Sequence, residues 1–312
     1  METEGIQKVK IGRKKDGLEF DCLAFADDLA ILAVSYEDAV KQINILKETA
    51  ERAGLLISFE KTEYMTNVEQ GPKFLETIYG KIKKVAKFKY LGEIIQSNGL
   101  DKEANMARTR KMETAFHLTK NVYNKKSISR NTKLKHYDTV IKPEGLYASE
   151  CLAMNTAKQL DELEKKERKV IRKILGPNYE DGKWKLKSNR ELYEKTERIT
   201  DTMRKRRITF YGHLSRMNDD RLTKQLFDYF DKNPKTHMPW FKGVKSDLEE
   251  MGITRMDVDN REVFRSKVKN FVGFQAKLKK KTGGVWTEER RKQQSERMKD
   301  YWRIRAREKR KS

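Results

Sequence analysis

At Asn98-Gly99 the hydrophobic pattern of the chain changes period, and that change limits the fold more than any other feature. Before it, residues 7–34 and 74–96 alternate apolar and polar in the manner of half-buried strands, with one helical stretch between them. After it, from Asp101 to about Met217, apolar residues recur at helical spacing. Strands with a packed helix, followed by an almost entirely helical part, make an α+β chain.

Within the first part, Lys15-Asp16-Gly17 is a turn signal ahead of "LEFDCLAFADD" and then "LAILAV". Two adjacent carboxylates, Asp27 and Asp28, therefore sit between strand-like runs. On these residues alone a plain hairpin tip is the leading reading, and a carboxylate held rigidly for a divalent metal is the sharper alternative. Ser35 is placed to cap a helix with Asp38 three residues on, Ala39, Ile43, Leu46, Ala50 and Ala53 form its apolar face, and Gly54 ends it. "LLISFEKTEYM" reads as a further strand, and residues 74–96, with Gly80 near a turn, as a hairpin. The pattern predicts a small antiparallel sheet backed by one helix.

Beyond Gly99 the spacing predicts helices near 101–123, near 130–150 with a disturbance at Pro143, over 156–175 up to Gly176-Pro177, and over 189–211. Asn233-Pro234 and Pro239 mark a linker, after which 240–273 reads as shorter helical pieces. The expected divisions are 1–98, 99–230, 231–274 and a basic tail, 275–312, that holds 15 Lys and Arg against 5 Asp and Glu, a net of +10.

Charge narrows the function classes. Lys and Arg number 70 against 47 Asp and Glu, a formal charge of +23, and such a field attracts polyanions, nucleic acid foremost. Cys22 and Cys151 stand in apolar settings and read as buried thiols of a reducing compartment. Four scattered histidines and no Cys pair of metal spacing argue against a zinc finger or knuckle, and structural or solvent histidines are the default. No apolar run reaches membrane-span length and the N-terminus has no signal-peptide core, so the expectation is an intracellular protein with no membrane partner.

Four blocks, in order, carry a resemblance: "FADD" (residues 25–28), "GLLISFEKTEYM" (54–65), "FKYLGEII" (88–95), and "MRKRRITFYGHLSRMNDDRLTKQLF" (203–227) with "WFKGVKSDLEEMGI" behind it. Together they resemble the C-terminal part of the reverse transcriptases of non-LTR, LINE-type retrotransposons, over roughly 250 residues. The first block is similar to the aromatic-Ala-Asp-Asp box at the tip of the palm hairpin, the second to the palm motif that follows it, and the third to the primer-grip segment. The fourth is similar to the downstream basic region. The resemblance implies a partial reverse-transcriptase palm, then an all-α thumb-like and C-terminal helical region.

It also implies roles. Asp27, with Asp28 less directly, corresponds to a ligand of the Mg²⁺ pair that activates the primer hydroxyl and steadies the leaving pyrophosphate. Strand alternation places Phe25 on the face of Asp27, where it could floor the primer end or serve as core. Lys61 corresponds to a general acid for pyrophosphate, or is one exposed lysine among many. Tyr90, Leu91 and Gly92 resemble the primer-grip turn, though a hairpin bend explains them nearly as well.

The family places another metal-binding aspartate on a separate upstream strand, beyond the fingers, and 26 residues before Asp27 cannot hold those parts. Asp21 cannot substitute, because six extended residues separate it from Asp27 by roughly 20 Å, against about 4 Å in a two-metal site. The expectation is therefore a truncated element that binds RNA and DNA, holds Mg²⁺ weakly and does not polymerise alone.

The basic segment around Arg204, Lys205, Arg206, Arg207 and Arg216 interleaves cations with Phe210 and Tyr211. That mixture suits phosphates and base stacking, and suits equally a helix with aromatic core and solvated cations. In the tail, Thr287 is placed to cap a basic helix that orders on nucleic acid, and "RIRAREKRKS" reads as a nuclear localisation signal for a protein made in the cytoplasm. Two further classes stay open: a non-enzymatic basic nucleic-acid-binding protein derived from such an element, and a helical scaffold for an acidic protein.

Overall fold

The computed structural model describes residues 7–11, 17–68, 70–152, 157–233, 238–271 and 273. The chain divides into two units, 1–272 and 273–312, and every element below belongs to the first. The expected basic helix and localisation signal of 275–312 lie outside the described residues, as do Lys15 and Asp16 of the first turn signal.

The N-terminal part is a set of small ribbons. β1 (Val9–Ile11) pairs antiparallel with β2 (Leu18–Phe20), and β3 (Cys22–Phe25) with β4 (Asp28–Ile31). α1 (Tyr36–Arg52) starts where the Ser35 hydroxyl accepts the Asp38 N–H at 3.1 Å, as the spacing predicts. β5 (Glu63–Tyr64), β6 (Phe74–Thr77) and β7 (Gly80–Lys84) form a three-stranded sheet in the order β5-β7-β6, with β5 parallel to β7. β8 (Lys87–Tyr90) and β9 (Glu93–Gln96) make a separate hairpin. Ile43 of α1 packs on the partnered pair Leu75 and Ile82, with Ala39 and Val40 alongside.

Three expectations change here. The single antiparallel sheet is four separate ribbons or sheets, one with a parallel pair. The strand expected over 55–65 shrinks to β5, because Ser58 O accepts both Lys61 N and Thr62 N and winds that segment into a turn, leaving Leu56 85% exposed. Cys22 and Cys151 are both exposed rather than buried, the first on β3, whose four residues are all exposed, and the second in a short 3₁₀ turn.

The helical part opens with α2 (Lys102–Leu118) and α3 (Lys120–Asn124), then α4 (Arg130–His136), a π-helical turn (Tyr137–Ile141) and α5 (Lys142–Leu146). Pro143 lacks the N–H that an α-helix would aim at residue 139, and the disturbance falls on the turn before it. There Lys142 N–H donates to Tyr137 O, five residues back.

α6 (Ala157–Leu175) ends at Gly176, and an unexpected hairpin of β10 (Asn178–Glu180) and β11 (Lys183–Lys185) follows. The helix expected over 189–211 is split into α7 (Asn189–Leu192), held by a Ser188–Glu191 capping box, and α8 (Ile199–Ser215). α9 (Leu222–Lys232), α10 (Pro239–Met251), α11 (Arg255–Asp259) and α12 (Arg261–Asn270) complete the described chain. No described helix is long and apolar enough to cross a membrane.

The two parts differ in core. Sixteen buried hydrophobics, among them Met112, Tyr137, Ile171, Leu192 and Ile199, form one cluster in the helical part, against three in the strand part. At about 1.5–3 kcal/mol per buried aliphatic side chain, the helical part carries most of the cohesion. α8 leads on to a C-terminal helical group, where Gly212 lets α12 approach closely: a Cβ there would stand 2.4 Å from a Phe264 ring carbon.

Candidate functional site

The β3–β4 register pairs Phe25 with Asp28, so Ala26 and Asp27 are a two-residue loop. Ala26 has φ +51° and Asp27 is not in the left-handed region, the φ pattern of a type II′ turn. Holding alanine there costs about 1–2 kcal/mol, a strain that glycine would avoid. This corrects the expected geometry. Asp27 sits in the turn and does not alternate with Phe25; Asp28, opposite Phe25, shares its face of the ribbon. Phe25 is 64% exposed, so its reading as core fails.

The β8–β9 hairpin reaches this ribbon. Tyr90 Oη donates to Leu23 O at 3.3 Å, tying it to β3. Its own two-residue loop, Leu91 (φ +49°) and Gly92 (φ +82°), has the φ pattern of a type I′ turn. Tyr147, just past α5, donates through its hydroxyl to Leu91 O at 2.7 Å, and a Cβ on Gly92 would lie 3.2 Å from its ring. Arg108 on α2, 3% exposed, donates to Tyr147 O at 2.8 Å and pairs with Glu93. A continuous chain of contacts thus runs from the helical part through the second hairpin to the Asp27–Asp28 ribbon.

Sequence reasoning identified Tyr90 and Gly92 in that chain and missed Glu93, Arg108 and Tyr147, whose links span up to 56 residues. Lys61 is exposed in the 58–61 turn, and no hydrogen bond or ion pair among the described residues joins it to the Asp27–Asp28 loop.

As a metal centre the loop is incomplete. Asp27 and Asp28 are exposed, and among the described residues no group of three His, Cys, Asp or Glu could hold an ion. Two neighbouring carboxylates would leave most of the coordination of Mg²⁺ to water, and the residues present do not fit a two-metal site.

The α8 cations are taken up by partners within the protein, Arg206 from an exposed position, a correction to their reading as phosphate contacts. Arg204 donates to Asp247 at 2.6 Å and to Glu250 at 2.7 Å, and Arg207, buried, donates through Nε to Asp247 at 3.0 Å. Lys205 pairs with Glu197 at 2.6 Å, and Arg206 donates to Leu146 O at 3.0 Å. Arg216 donates to Val258 O and lies over the Phe264 ring, where burial pulls its pKa down. Phe210 stands edge-on to Trp240, and Tyr211 is buried against Phe227. The cations brace helices, Tyr211 is core, and Phe210 is half-buried beside it.

Comparison with known proteins locates the resemblance. Residues 6–95 match the family model of reverse transcriptase (RNA-dependent DNA polymerase), a span that holds the Asp27–Asp28 ribbon, α1, the β6–β7 hairpin and all but the last residue of the β8–β9 hairpin. An uncharacterized transposon-derived protein of Caenorhabditis elegans is 24% identical over 268 residues, covering 80% of this chain and 90% of that one, so the likeness continues into the helical part. No solved structure matches. The chain is related to reverse transcriptases through residues 6–95 and, over most of its length, to a transposon-derived protein.

Proposed function

We propose that this chain is the C-terminal part of a LINE-type retrotransposon reverse transcriptase, binding an RNA or DNA template-primer and unable to polymerise by itself. The observation that carries the reading is the Tyr90–Leu23 contact, which sets the primer-grip-like turn beside the Asp27–Asp28 ribbon while Tyr147 and Arg108 anchor that turn to the helices. In this reading residues 7–98 are palm and the helices from α2 onward are thumb-like. The basic "RIRAREKRKS" end directs the protein to the nucleus.

Inactivity follows from the site's own chemistry. A polymerase pair of ions needs carboxylates from separate strands, and Asp27 and Asp28 are adjacent residues of one hairpin. Purified chain given a primer on RNA with Mg²⁺ or Mn²⁺ is expected to bind, with affinity falling steeply with salt, and to add no nucleotide. Extension abolished by Asp27→Asn would overturn the inactive reading. The second reading, a non-enzymatic nucleic-acid-binding protein, is favoured by the exposed and incomplete carboxylate set. Extension restored by a separate fingers and upstream-palm fragment would exclude it.

A further inference from the structure

We propose that the open groove at one end of the three-stranded sheet is a binding site for single-stranded nucleic acid, with Lys73 and Lys83 on its phosphates and Phe74 stacked on a base. The groove measures about 720 Å³, and its walls come from Thr66–Val68 after β5, Lys73 and Phe74 where β6 begins, and the β7–β8 connection. Ser97 and Asn98, after β9, close its other side. That volume lies in the range of specific ligand sites. This inference rests on the nucleic-acid reading above and names a place for it that none of the four sequence blocks contains.

The chemistry of the lining selects the ligand. Among its described residues three are lysines and none is acidic. Phe74, 47% exposed, is paired directly across the strands with Lys83, so an aromatic face and an ammonium stand side by side on one face of the sheet. Glu63, the neighbour of Lys83 on β5, makes no ion pair with it. A cation next to an exposed ring is the combination that tracks a backbone while stacking its bases. Asn98 commits its side-chain oxygen to Leu100 N at 3.0 Å, which leaves its N–H groups as donors toward the groove's ligand.

The walls are braced from behind. Lys84 donates to Val68 O at 3.3 Å, and Tyr64 Oη bonds Pro72 O just before Lys73. Such bracing means that a strand meets a formed site. The β8–β9 ribbon borders the groove at its open end and meets Leu23 through Tyr90 at its turn end, about 10 Å away. A strand held in the groove therefore lies near the Asp27–Asp28 ribbon.

The test is fluorescence anisotropy of the full chain with labelled poly(U) and poly(dT), across a salt series. Lys73→Glu with Lys83→Glu is expected to weaken binding about tenfold and to make the log-log salt slope shallower by about 1.4, two single-strand phosphates. Phe74→Ala is expected to weaken binding about tenfold with the slope unchanged. The exposed pair Lys125→Glu with Lys126→Glu makes the same change in net charge elsewhere and is expected to have a much smaller effect.

Lys84 is left in place so that the wall stays braced, and circular dichroism checks that each variant is folded. Groove variants equal to the Lys125 and Lys126 control would overturn the groove alone, since the wild type still binds. A wild-type chain that binds neither polymer would overturn both the groove and the reading beneath it.

Discussion

A single carboxylate, Asp247, governs the fate of the basic cluster on α8. It is 1% exposed and takes hydrogen bonds from both Arg204 and Arg207, so its removal takes the carboxylate away from the buried Arg207 guanidinium and leaves Arg204 to Glu250. Breaking such a buried pair costs about 3–5 kcal/mol, whereas Glu250→Ala leaves Arg204 with Asp247 and costs under about 1 kcal/mol. Urea unfolding is expected to place Asp247→Ala far below wild type and Glu250→Ala close to it; equal midpoints for the two variants would refute the bracing role. The sequence displayed the cations as one run at 204–207 and hid their partner 40 residues on. Charge density is a local signal, and pairing is not, so the surface reading of these residues could not be corrected before the helices were seen together.

Elements were legible where their determinants are local. Ser35, the apolar face of α1 and Gly54 lie within one helix length and define that helix correctly, as does Gly176 after α6. The β10–β11 hairpin was missed although Asp181-Gly182, both at positive φ, is a type I′ turn signal. Its strands have three residues each, too few for an alternation to register, and its Tyr179–Trp184 pair projects into solvent with Trp184 71% exposed.

The β8–β9 hairpin shows the same division. Gly92 was legible as a turn, but Tyr147 against it was not. Gly92→Ala places a side chain at φ +82° and presses on that ring, a strain of about 1–2 kcal/mol. Amide exchange over residues 88–95 is therefore expected to quicken about tenfold, with a smaller shift in the global midpoint, because the larger core lies elsewhere. Unchanged exchange there would separate the hairpin from its helical anchor.

At the scale of the whole molecule, stability is tied to one carboxylate buried in the larger core. Glu167 is fully buried and accepts from Tyr137 Oη at 2.8 Å, Tyr193 Oη at 2.9 Å and Ile199 N at 2.9 Å, joining the π turn, α6, the segment after α7 and the start of α8. Burial raises its pKa from 4.5 to about 7, against the opposing pull of Lys142.

A carboxyl that binds its proton more tightly when folded stabilises the fold most below the unfolded pKa, and that contribution is lost as pH rises toward the folded value. Between pH 4.5 and 7 the loss amounts to about 3 kcal/mol. Asp201, raised by burial to about 6, adds a slope of the same sign, whereas Asp257, lowered to about 2 chiefly by Lys267, acts only under more acid conditions. Chemical unfolding at pH 5 and pH 8 is therefore expected to find the wild type more stable at pH 5, and Glu167→Gln to remove most of that difference because its amide stays neutral throughout. A variant that keeps the wild-type pH slope would show that Glu167 does not carry the titration, and would move the effect to Asp201.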